Sequence, residues 1–446
     1  MLFPEAQIHL DRDHPFNRPA PPIDNGSGRP DPARYHDRAF AKAEWERVFA
    51  RSWLLAGASS DIAEPGDFLK FDIGPESILV VRGEGGQARA HYNVCPHRGS
   101  QLVTTDFGAV DSFSCPFHSW RFGLDGACLK VTDAETFDPA VLAHGTHLSG
   151  LRCEEAAGLV FVAMDPAIQP LRSFLAPILP QLELYQIDRM HTIQHRQSQW
   201  ASNWKGGVDA FAEIYHLHAV HPQTQGLMDD RTQIDLWPGG LSRQFVPFAQ
   251  PSPRYPDQES VNPGIQLMLR DAGIDPATFT GTARESRAAI QAAKRRRSQE
   301  LGLGYERFSD SQLSDSVVYS LFPNVQIGCH PEAVFLHRFL PNASDPDRFT
   351  YDTCILYRHV EAPGYGAPAW MGLSDDIDLT GRTRPDITRT GLGEPPGLGE
   401  VLDQDSELLP VVQKGQHSRG FRGPLWGRQE ARLRHFHAEI DRMMQA

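Results

Sequence analysis

The chain has 446 residues, of which 40% are hydrophobic and 22% charged, and its formal net charge is −13. This acidic balance argues against nucleic acid or an anionic membrane surface as the main partner. The length exceeds what one ordinary hydrophobic core supports, so we expect at least two domains.

The N-terminal residues show no basic-then-apolar signal pattern, and no apolar run approaches the ~18 residues that a bilayer requires. We therefore expect a cytoplasmic protein without a membrane partner. In such a compartment, cysteines are expected to bind metal, act in catalysis or fill the core rather than form disulfides. The cysteines concerned are Cys95, Cys115, Cys128, Cys153, Cys329 and Cys354.

Residues from about 55 to 165 read as short strands and turns, which predicts a small all-β domain. The β-branched run 77–81 and the loosely alternating run 88–94 flank a glycine-rich turn, so they predict a hairpin. Residues 158–163 predict another buried strand.

Two loops in this segment each pair a cysteine with a histidine. The sequence CPHRG places Cys95 two positions before His97, and CPFHSW places Cys115 three positions before His118. Seventeen residues separate His97 from Cys115. Each loop thus offers one thiolate and one imidazole at close range.

Two kinds of metal site use two cysteines and two histidines: a closed structural zinc site and a Rieske [2Fe–2S] cluster. Common zinc spacing pairs Cys with Cys and His with His, whereas each loop here mixes the two types. Two adjacent mixed loops fit a binuclear cluster better. Prolines beside the cysteines, and Gly99 and Gly123 nearby, suit tight turns around such a cluster.

The string FAEIYHLHAVHPQT contains three histidines. A helix is predicted from Val208 to about His218, and Pro222 marks its end. On an ideal helix, His216 and His221 lie about 140° apart at ~100° per residue. They can share a metal only if the helix ends or distorts between them, which Pro222 favours because the residue before proline leaves the α region. His218 faces away from His216, so we expect a packing or surface role, with a substrate-pocket role as the alternative.

The remaining chain mixes strands and helices. Residues 318–328 and 349–357 are strand-like. Two stretches look inserted or loose: 250–308, where proline- and glycine-rich flanks surround a predicted helix from about Glu285 to Leu301, and 362–399, whose glycine and proline content predicts a loop. The C-terminal segment predicts an amphipathic helix, because apolar residues recur at helical spacing: Leu433, Phe436, Ile440 and Met443.

The motif CPHRG…CPFHSW inside a strand-rich segment resembles the Rieske domain of ring-hydroxylating oxygenase large (alpha) subunits. Arg98, Gly99 and Trp120 also match that family's pattern. A Rieske domain alone is equally typical of a ferredoxin, but this chain continues well beyond it.

The string from Asn203 onward is similar to the catalytic signature of the same family. There, Asn-Trp-Lys precedes an acidic residue, then a histidine three positions later and another five further on. The resemblance implies that His216 and His221 bind a mononuclear iron and that Glu213 bridges to a Rieske histidine of the neighbouring subunit. Many relatives carry Asp at this bridge. Asp209 either lies near the iron or is a plain helix-face acid.

Two histidines and one carboxylate form the facial triad of such sites, so a carboxylate is still required. The resemblance implies that it comes from far downstream. In the family, an acidic ligand precedes a short helix and Gln-x-Gly, a frame that fits residues 405–418. The resemblance therefore favours Asp405, with Asp403 and Asp376 as rivals.

The resemblance implies an α+β protein with three parts. These are an N-terminal segment, 1–54, packing on the catalytic domain; an all-β Rieske [2Fe–2S] domain, 55–165; and a helix-grip (START-like) catalytic domain with an antiparallel sheet, 166–446. The implied cofactors are the [2Fe–2S] cluster and mononuclear Fe(II), with O₂ as co-substrate. The implied partners are an external reductase or ferredoxin and two further copies in a trimer, with a small beta subunit possible.

The expected activity is that of a terminal oxygenase. We expect mono- or cis-dihydroxylation of an aromatic or other cyclic apolar substrate in a pocket that includes Phe211, Leu217 and the segment after His221. Oxidative demethylation uses the same ligands and stays open. The alternative class is an electron-transfer protein with a dead or structural second site.

Overall fold

The computed structural model describes residues 8–143, 145–362 and 365–445. Residues 1–7 of the predicted N-terminal segment and Ala446 of the predicted catalytic domain therefore lie outside the described residues, as do two positions of the predicted insertion 362–399.

The strands of the first half follow one another closely. They are β1 (Leu54–Ala58), β2 (Asp67–Ile73), β3 (Glu76–Arg82), β4 (Ala88–Tyr92), β5 (Phe107–Ala109), β6 (Phe113–Ser114), β7 (Arg121–Phe122), β8 (Cys128–Lys130), β9 (Gly150–Ala156) and β10 (Leu159–Ala163). Within the described residues they form a seven-stranded sheet, ordered β1-β10-β9-β4-β3-β2-β5, and a small sheet of β6, β7 and β8. The hairpin expected around the glycine-rich turn is confirmed as β3 and β4.

The second half builds a larger sheet. Its strands are β11 (His191–Trp200), β12 (Gln233–Trp237), β13 (Leu241–Val246), β14 (Ser316–Leu321), β15 (Val325–Cys329), β16 (Ala333–Pro341), β17 (Phe349–Tyr357) and β18 (Thr388–Thr390). Their order is β12-β13-β14-β15-β16-β17-β11-β18, antiparallel except for the pair of β11 and β18. The strand-like stretch 318–328 is confirmed and lies in two strands, β14 and β15, which are joined by a turn.

Helices cover the second sheet and join the strands. They are α1 (Arg38–Arg47), α2 (Pro139–Leu142), α3 (Leu171–Leu175), α4 (Leu179–Glu183), α5 (Trp204–Phe211), α6 (Leu217–Val220), α7 (Pro263–Asp271), α8 (Ala283–Leu301), α9 (Asp310–Ser314), α10 (Glu400–Gln416) and α11 (Ala431–Gln445). The predicted C-terminal helix is confirmed as α11, which buries Leu433, Phe436 and Ile440. Antiparallel sheets with covering helices confirm the predicted α+β class.

The two sheets share their hydrophobic core. Leu55 of β1 and Phe161 of β10 belong to the same buried cluster as Ile327 of β15 and Leu336 of β16. Strands β1 and β10 are buried along their whole length. The other strands of the first sheet cover one of their faces, and the second half of the chain covers the other. The predicted boundary between residues 165 and 166 therefore crosses a continuous apolar interface, and it stays a prediction.

The stretch 250–308 is not a loose insertion. The helix expected there is confirmed as α8, and a second helix, α7, accompanies it. Their apolar residues Ile265, Leu269 and Ile290 form a core with Val246 of β13. In the stretch 362–399, regular structure among the described residues is confined to one 3₁₀ turn and β18. No described helix is both long and apolar enough to cross a membrane.

Candidate functional site

The two Cys–His loops have the same backbone design. Cys95 donates its N–H to Ser100 and accepts from the N–H of Gly99, and Cys115 makes the matching bonds with Trp120 and Ser119 (2.8–2.9 Å). The fourth position after each cysteine has a positive φ, +77° at Gly99 and +60° at Ser119. The expectation that Gly123 serves the second loop is wrong, because Ser119 takes that conformation while Gly123 lies in the next turn.

The loops bring their side chains together at one end of the small sheet. The rings of His97 and His118 are 4.5 Å apart, and Trp120 stacks on His97 at 4.8 Å. Cys95 and Cys115 are buried. Nδ1 of each histidine is also buried and lacks a hydrogen-bond partner in the described chain. A buried nitrogen without a partner is costly, so these atoms fit a group that binds them.

The environment of Cys115 favours its thiolate. Burial opposes the charge, but the backbone N–H groups of Phe117 and His118 outweigh it and lower the pKa of this thiol. All six cysteines lie within the described residues, and no disulfide joins them there.

The second constellation begins where α5 ends. The predicted continuous helix through His218 is wrong: α5 stops at Phe211, and the next helix, α6, starts only after His216. The break is caused by Glu213, whose carboxylate accepts from the backbone N–H groups of Tyr215 and His216 and so replaces helical bonds. The expected effect of Pro222 is confirmed, since His221 leaves the helical region with φ −122° and ψ 54°.

This local structure aims both histidines at one carboxylate. Nε2 of His221 lies 3.1 Å and Nε2 of His216 lies 3.7 Å from Oδ1 of Asp405. The opposite ring nitrogens are held by acceptors: Nδ1 of His216 donates to Glu213 (2.6 Å), and Nδ1 of His221 donates to Gln404 (2.6 Å). In neutral imidazoles the Nε2 atoms then carry lone pairs.

Three electron-pair donors therefore converge with ligand atoms within 4.8 Å of one another. Their lone pairs repel unless a cation, a proton or a metal ion, lies between them. Burial opposes protonation of His216, but Glu213 and then Asp405 outweigh it and raise its pKa. The donor set, two imidazoles and one carboxylate, fits a mononuclear iron with open positions.

The rival acids lie elsewhere. Asp403 accepts from the backbone N–H of Leu398 (2.9 Å) at the start of α10, and Asp376 is exposed in a loop. Asp405 is buried. The structure thus brings Asp405, not Asp403 or Asp376, to the two histidines.

Residues around the site hold its helices together. Gln413 on α10 accepts from the backbone N–H of Asn203 (2.8 Å), which caps the N-terminus of α5. Trp204 and Lys205 both donate to the buried carboxylate of Glu44 on α1 (2.9 and 3.0 Å). The Asn-Trp-Lys motif is thus structural, and it fixes α5 against two other helices.

One acid and one histidine near the site, Asp209 and His218, have other partners. Asp209 accepts from Tyr35 Oη (2.6 Å) and His437 Nε2 (2.9 Å), so it ties α5 to both ends of the chain. His218 is partly exposed and bonds through Nδ1 to the carbonyl oxygen of Tyr215 (2.6 Å). Gln404 and Glu44 were missed by sequence reasoning, because neither carries a spacing signal of its own.

Comparison with known proteins agrees with this picture. A family model for the ring hydroxylating alpha subunit (catalytic domain) matches residues 187–446, and a model for the Rieske [2Fe-2S] domain matches residues 52–143. The chain is 35% identical over 232 residues to the carnitine monooxygenase oxygenase subunit of Escherichia coli K12, covering 50% of this chain and 59% of that protein. It is 30% identical over 200 residues to the biphenyl 2,3-dioxygenase subunit alpha of Rhodococcus jostii RHA1, covering 44% and 43%.

Both matches span less than two thirds of the relative's own length. The crystal structure of a quaternary ammonium Rieske monooxygenase with L-carnitine superposes with a TM-score of 0.67 over 95% of this chain and 97% of that one, at 19% identity. This likeness establishes a shared fold. The catalytic family model alone matches more than half of the chain. The chain therefore belongs to the predicted family, the Rieske ring-hydroxylating oxygenase alpha subunits, whose cofactors are a [2Fe–2S] cluster and a mononuclear iron.

Proposed function

We propose that the chain is the terminal oxygenase component of a multicomponent system that hydroxylates an organic substrate with O₂. The observation that carries this proposal is the convergence of His216, His221 and Asp405, with both Nδ1 atoms already occupied by acceptors. In this proposal these three residues hold the mononuclear iron.

The cluster is held by Cys95, His97, Cys115 and His118. The buried, unpaired Nδ1 atoms of the two histidines and the N–H groups around the Cys115 sulfur support this assignment. When bound, the two groups supply one-electron transfer and O₂ activation. The loops exclude water from the thiols, and Trp120 fixes the plane of the His97 ring.

Glu213 connects the two centres in the proposal, but across subunits. The side-chain bonds of Glu213 end on the neighbouring residues Tyr215 and His216. At the Rieske loops, Phe117 lies beside His118 and is 54% exposed. The guanidinium group of Arg98 lies over the Phe117 ring. A head-to-tail homotrimer lets this exposed tip reach Glu213 of the next copy. A small beta subunit is a further possible partner, and the electrons come from an external reductase or ferredoxin.

The substrate class is also a proposal. We favour an aromatic or other cyclic apolar compound, because the sheet beneath the histidines presents Phe335, Val318 and Ile355 on the side of Phe211. A quaternary ammonium compound is the second candidate, favoured by the 35% identical carnitine monooxygenase subunit.

Metal analysis and product analysis test this function together. We expect about three iron atoms per chain, two in the cluster and one mononuclear, and a Rieske-type visible and EPR spectrum. With a reductase and ¹⁸O₂, the product gains one labelled oxygen in monohydroxylation and two in dihydroxylation. Two iron atoms per chain and no labelled product would instead indicate an electron-transfer protein.

Gln404 offers a separate test of the iron site. Gln404→Leu removes the acceptor that orients His221 and leaves the proposed ligands in place. Loss of such a supporting hydrogen bond typically costs about 10–100-fold in metal affinity or activity, so we expect a loss of that size in mononuclear iron affinity, measured by competition with a chelator. The matched control is Gln223→Leu, because Gln223 bonds to Gln404 but not to a ligand. Unchanged iron affinity in Gln404→Leu would contradict the role of Gln404.

A further inference from the structure

The second sheet keeps open space on a face that helices cover. His337 and Phe335 lie on β16, an interior strand paired on both sides, and their side chains share the face on which α5 packs. Phe339 on the same face packs against Phe211 and is fully buried, whereas the side chains of His337 and Phe335 remain partly accessible. Because β16 is an interior strand covered by a helix, these partly accessible side chains indicate an internal space beside them.

The register of the strands extends this space sideways. Val318 of β14 pairs with Gly328 of β15, which pairs with Phe335. Gly328 has no side chain, so it leaves room between two partly accessible apolar residues. The walls of the space are therefore apolar, with the imidazole of His337 as a polar group among them.

The space adjoins the proposed iron site. The ring of Phe211, at the end of α5, lies 5.5 Å from the ring of His337. On the neighbouring strand, Tyr351 bonds to His337 and also lies within the field of Asp405: burial first, and this carboxylate as well, raise the pKa of Tyr351. His337 therefore lies beside Phe211, which precedes His216 by five residues, and is hydrogen-bonded to Tyr351, a residue close enough to Asp405 to be influenced by its charge.

The hydrogen bonds of His337 all involve one of its two ring nitrogens, Nδ1. Burial lowers the pKa of His337 to about 4, so the ring is neutral. Tyr351 Oη lies 2.7 Å and Thr353 Oγ1 lies 3.4 Å from Nδ1, so two hydroxyl groups converge on that nitrogen. We infer that Nδ1 accepts from Tyr351 Oη, which places the ring proton on Nε2. This nitrogen has no hydrogen-bond partner in the part of the chain that the structure describes.

We propose that Nε2–H of His337 donates a hydrogen bond to an oxygen of the substrate, so that the pocket selects apolar ring compounds that carry a carbonyl, ether or hydroxyl oxygen. This inference rests on the proposed oxygenase function and names the substrate class of the same site. Apolar walls with a single directed donor are typical of pockets that orient a ligand. A ligand without the acceptor leaves the donor unpaired, which disfavours it.

Binding of a matched probe pair tests the proposal. Indane and 1-indanone have nearly the same shape and differ in one acceptor oxygen. Equilibrium dialysis against the anaerobic holoenzyme measures both affinities without turnover, and L-carnitine serves as a third probe. We expect 1-indanone to bind about tenfold more tightly than indane, the effect of roughly one buried hydrogen bond. His337→Phe should abolish this preference while indane affinity stays within about twofold, and His337→Gln, which keeps a donor, should restore part of it.

Other outcomes overturn the proposal. Equal affinity for the two probes in the wild-type protein, or equal weakening of both in His337→Phe, would assign His337 to packing. Binding of L-carnitine alone would replace the substrate class while leaving the oxygenase function intact. Failure of the oxygenase function itself is detected independently, by iron content and labelled product.

Discussion

His221→Ala is expected to remove the mononuclear iron and leave the [2Fe–2S] cluster in place. Iron should fall from about three to about two atoms per chain, while the Rieske visible spectrum is retained. Because loss of a group that merely supports a ligand costs up to about 100-fold, loss of the ligand itself should reduce turnover by more than that. His216→Ala should give the same result, since its Nε2 faces the same Asp405 oxygen.

The same short segment contains a control residue, His218. His218→Ala removes an identical side chain from the middle of α6, where it bonds only to a backbone carbonyl. We expect this variant to keep its iron and most of its activity. A bleached visible spectrum in His221→Ala would contradict the separation into two metal sites, and iron loss in His218→Ala would contradict the choice of ligands.

The Rieske loops could be predicted from sequence because their chemistry is local. Each loop pairs one cysteine with one histidine, and a few backbone hydrogen bonds per loop set the geometry. Only the detail at Ser119 was missed, because a serine in the left-handed region has no sequence signal, whereas glycine at the equivalent Gly99 does.

The helix break before His216 could not be predicted. Between Phe211 and His216 the chain has no proline or glycine, and residues of this type usually continue a helix. The break depends on the Glu213 carboxylate turning back onto backbone N–H groups, a competition that propensity does not reveal. Long-range partners such as Gln404 were equally hidden, since 183 positions separate it from His221.

The fold class was predictable, but the closeness of its two halves was not. Strand periodicity and the resemblance both indicated an all-β unit followed by an antiparallel sheet with helices. Continuous burial of β1 and β10 shows that the first sheet packs its edge against the second half of the chain. Apolar runs in the sequence indicate that a strand is buried, but they do not show which part of the chain covers it.

Glu213→Gln is expected to keep both metals and lose most of the electron transfer between them. The carboxylate uses one oxygen for Nδ1 of His216 and the other for two backbone N–H groups. Glutamine replaces one carboxylate oxygen by an NH2 group, which donates and cannot accept. The remaining oxygen can hold His216, but an imidazole of the neighbouring Rieske domain loses its charged acceptor. Replacing a partner that hydrogen-bonds a ligand typically costs about 10–100-fold, and we expect that loss in the rate at which O₂ and substrate reoxidise the reduced cluster, followed by stopped-flow absorbance.

Two variants distinguish a bridging role of Glu213 from a general effect of removing a negative charge near the iron site. Asp209→Asn makes the same change four positions earlier, on a carboxylate bonded to Tyr35 and His437 instead of His216, and it should leave cluster reoxidation within about twofold. Glu213→Asp keeps the charge and both oxygens, so it should retain more of the rate than glutamine does. Normal reoxidation in Glu213→Gln with full iron content would show that electrons do not pass through this residue. Loss of the mononuclear iron would instead confine Glu213 to orienting His216, and the route between subunits would have to run through another side chain.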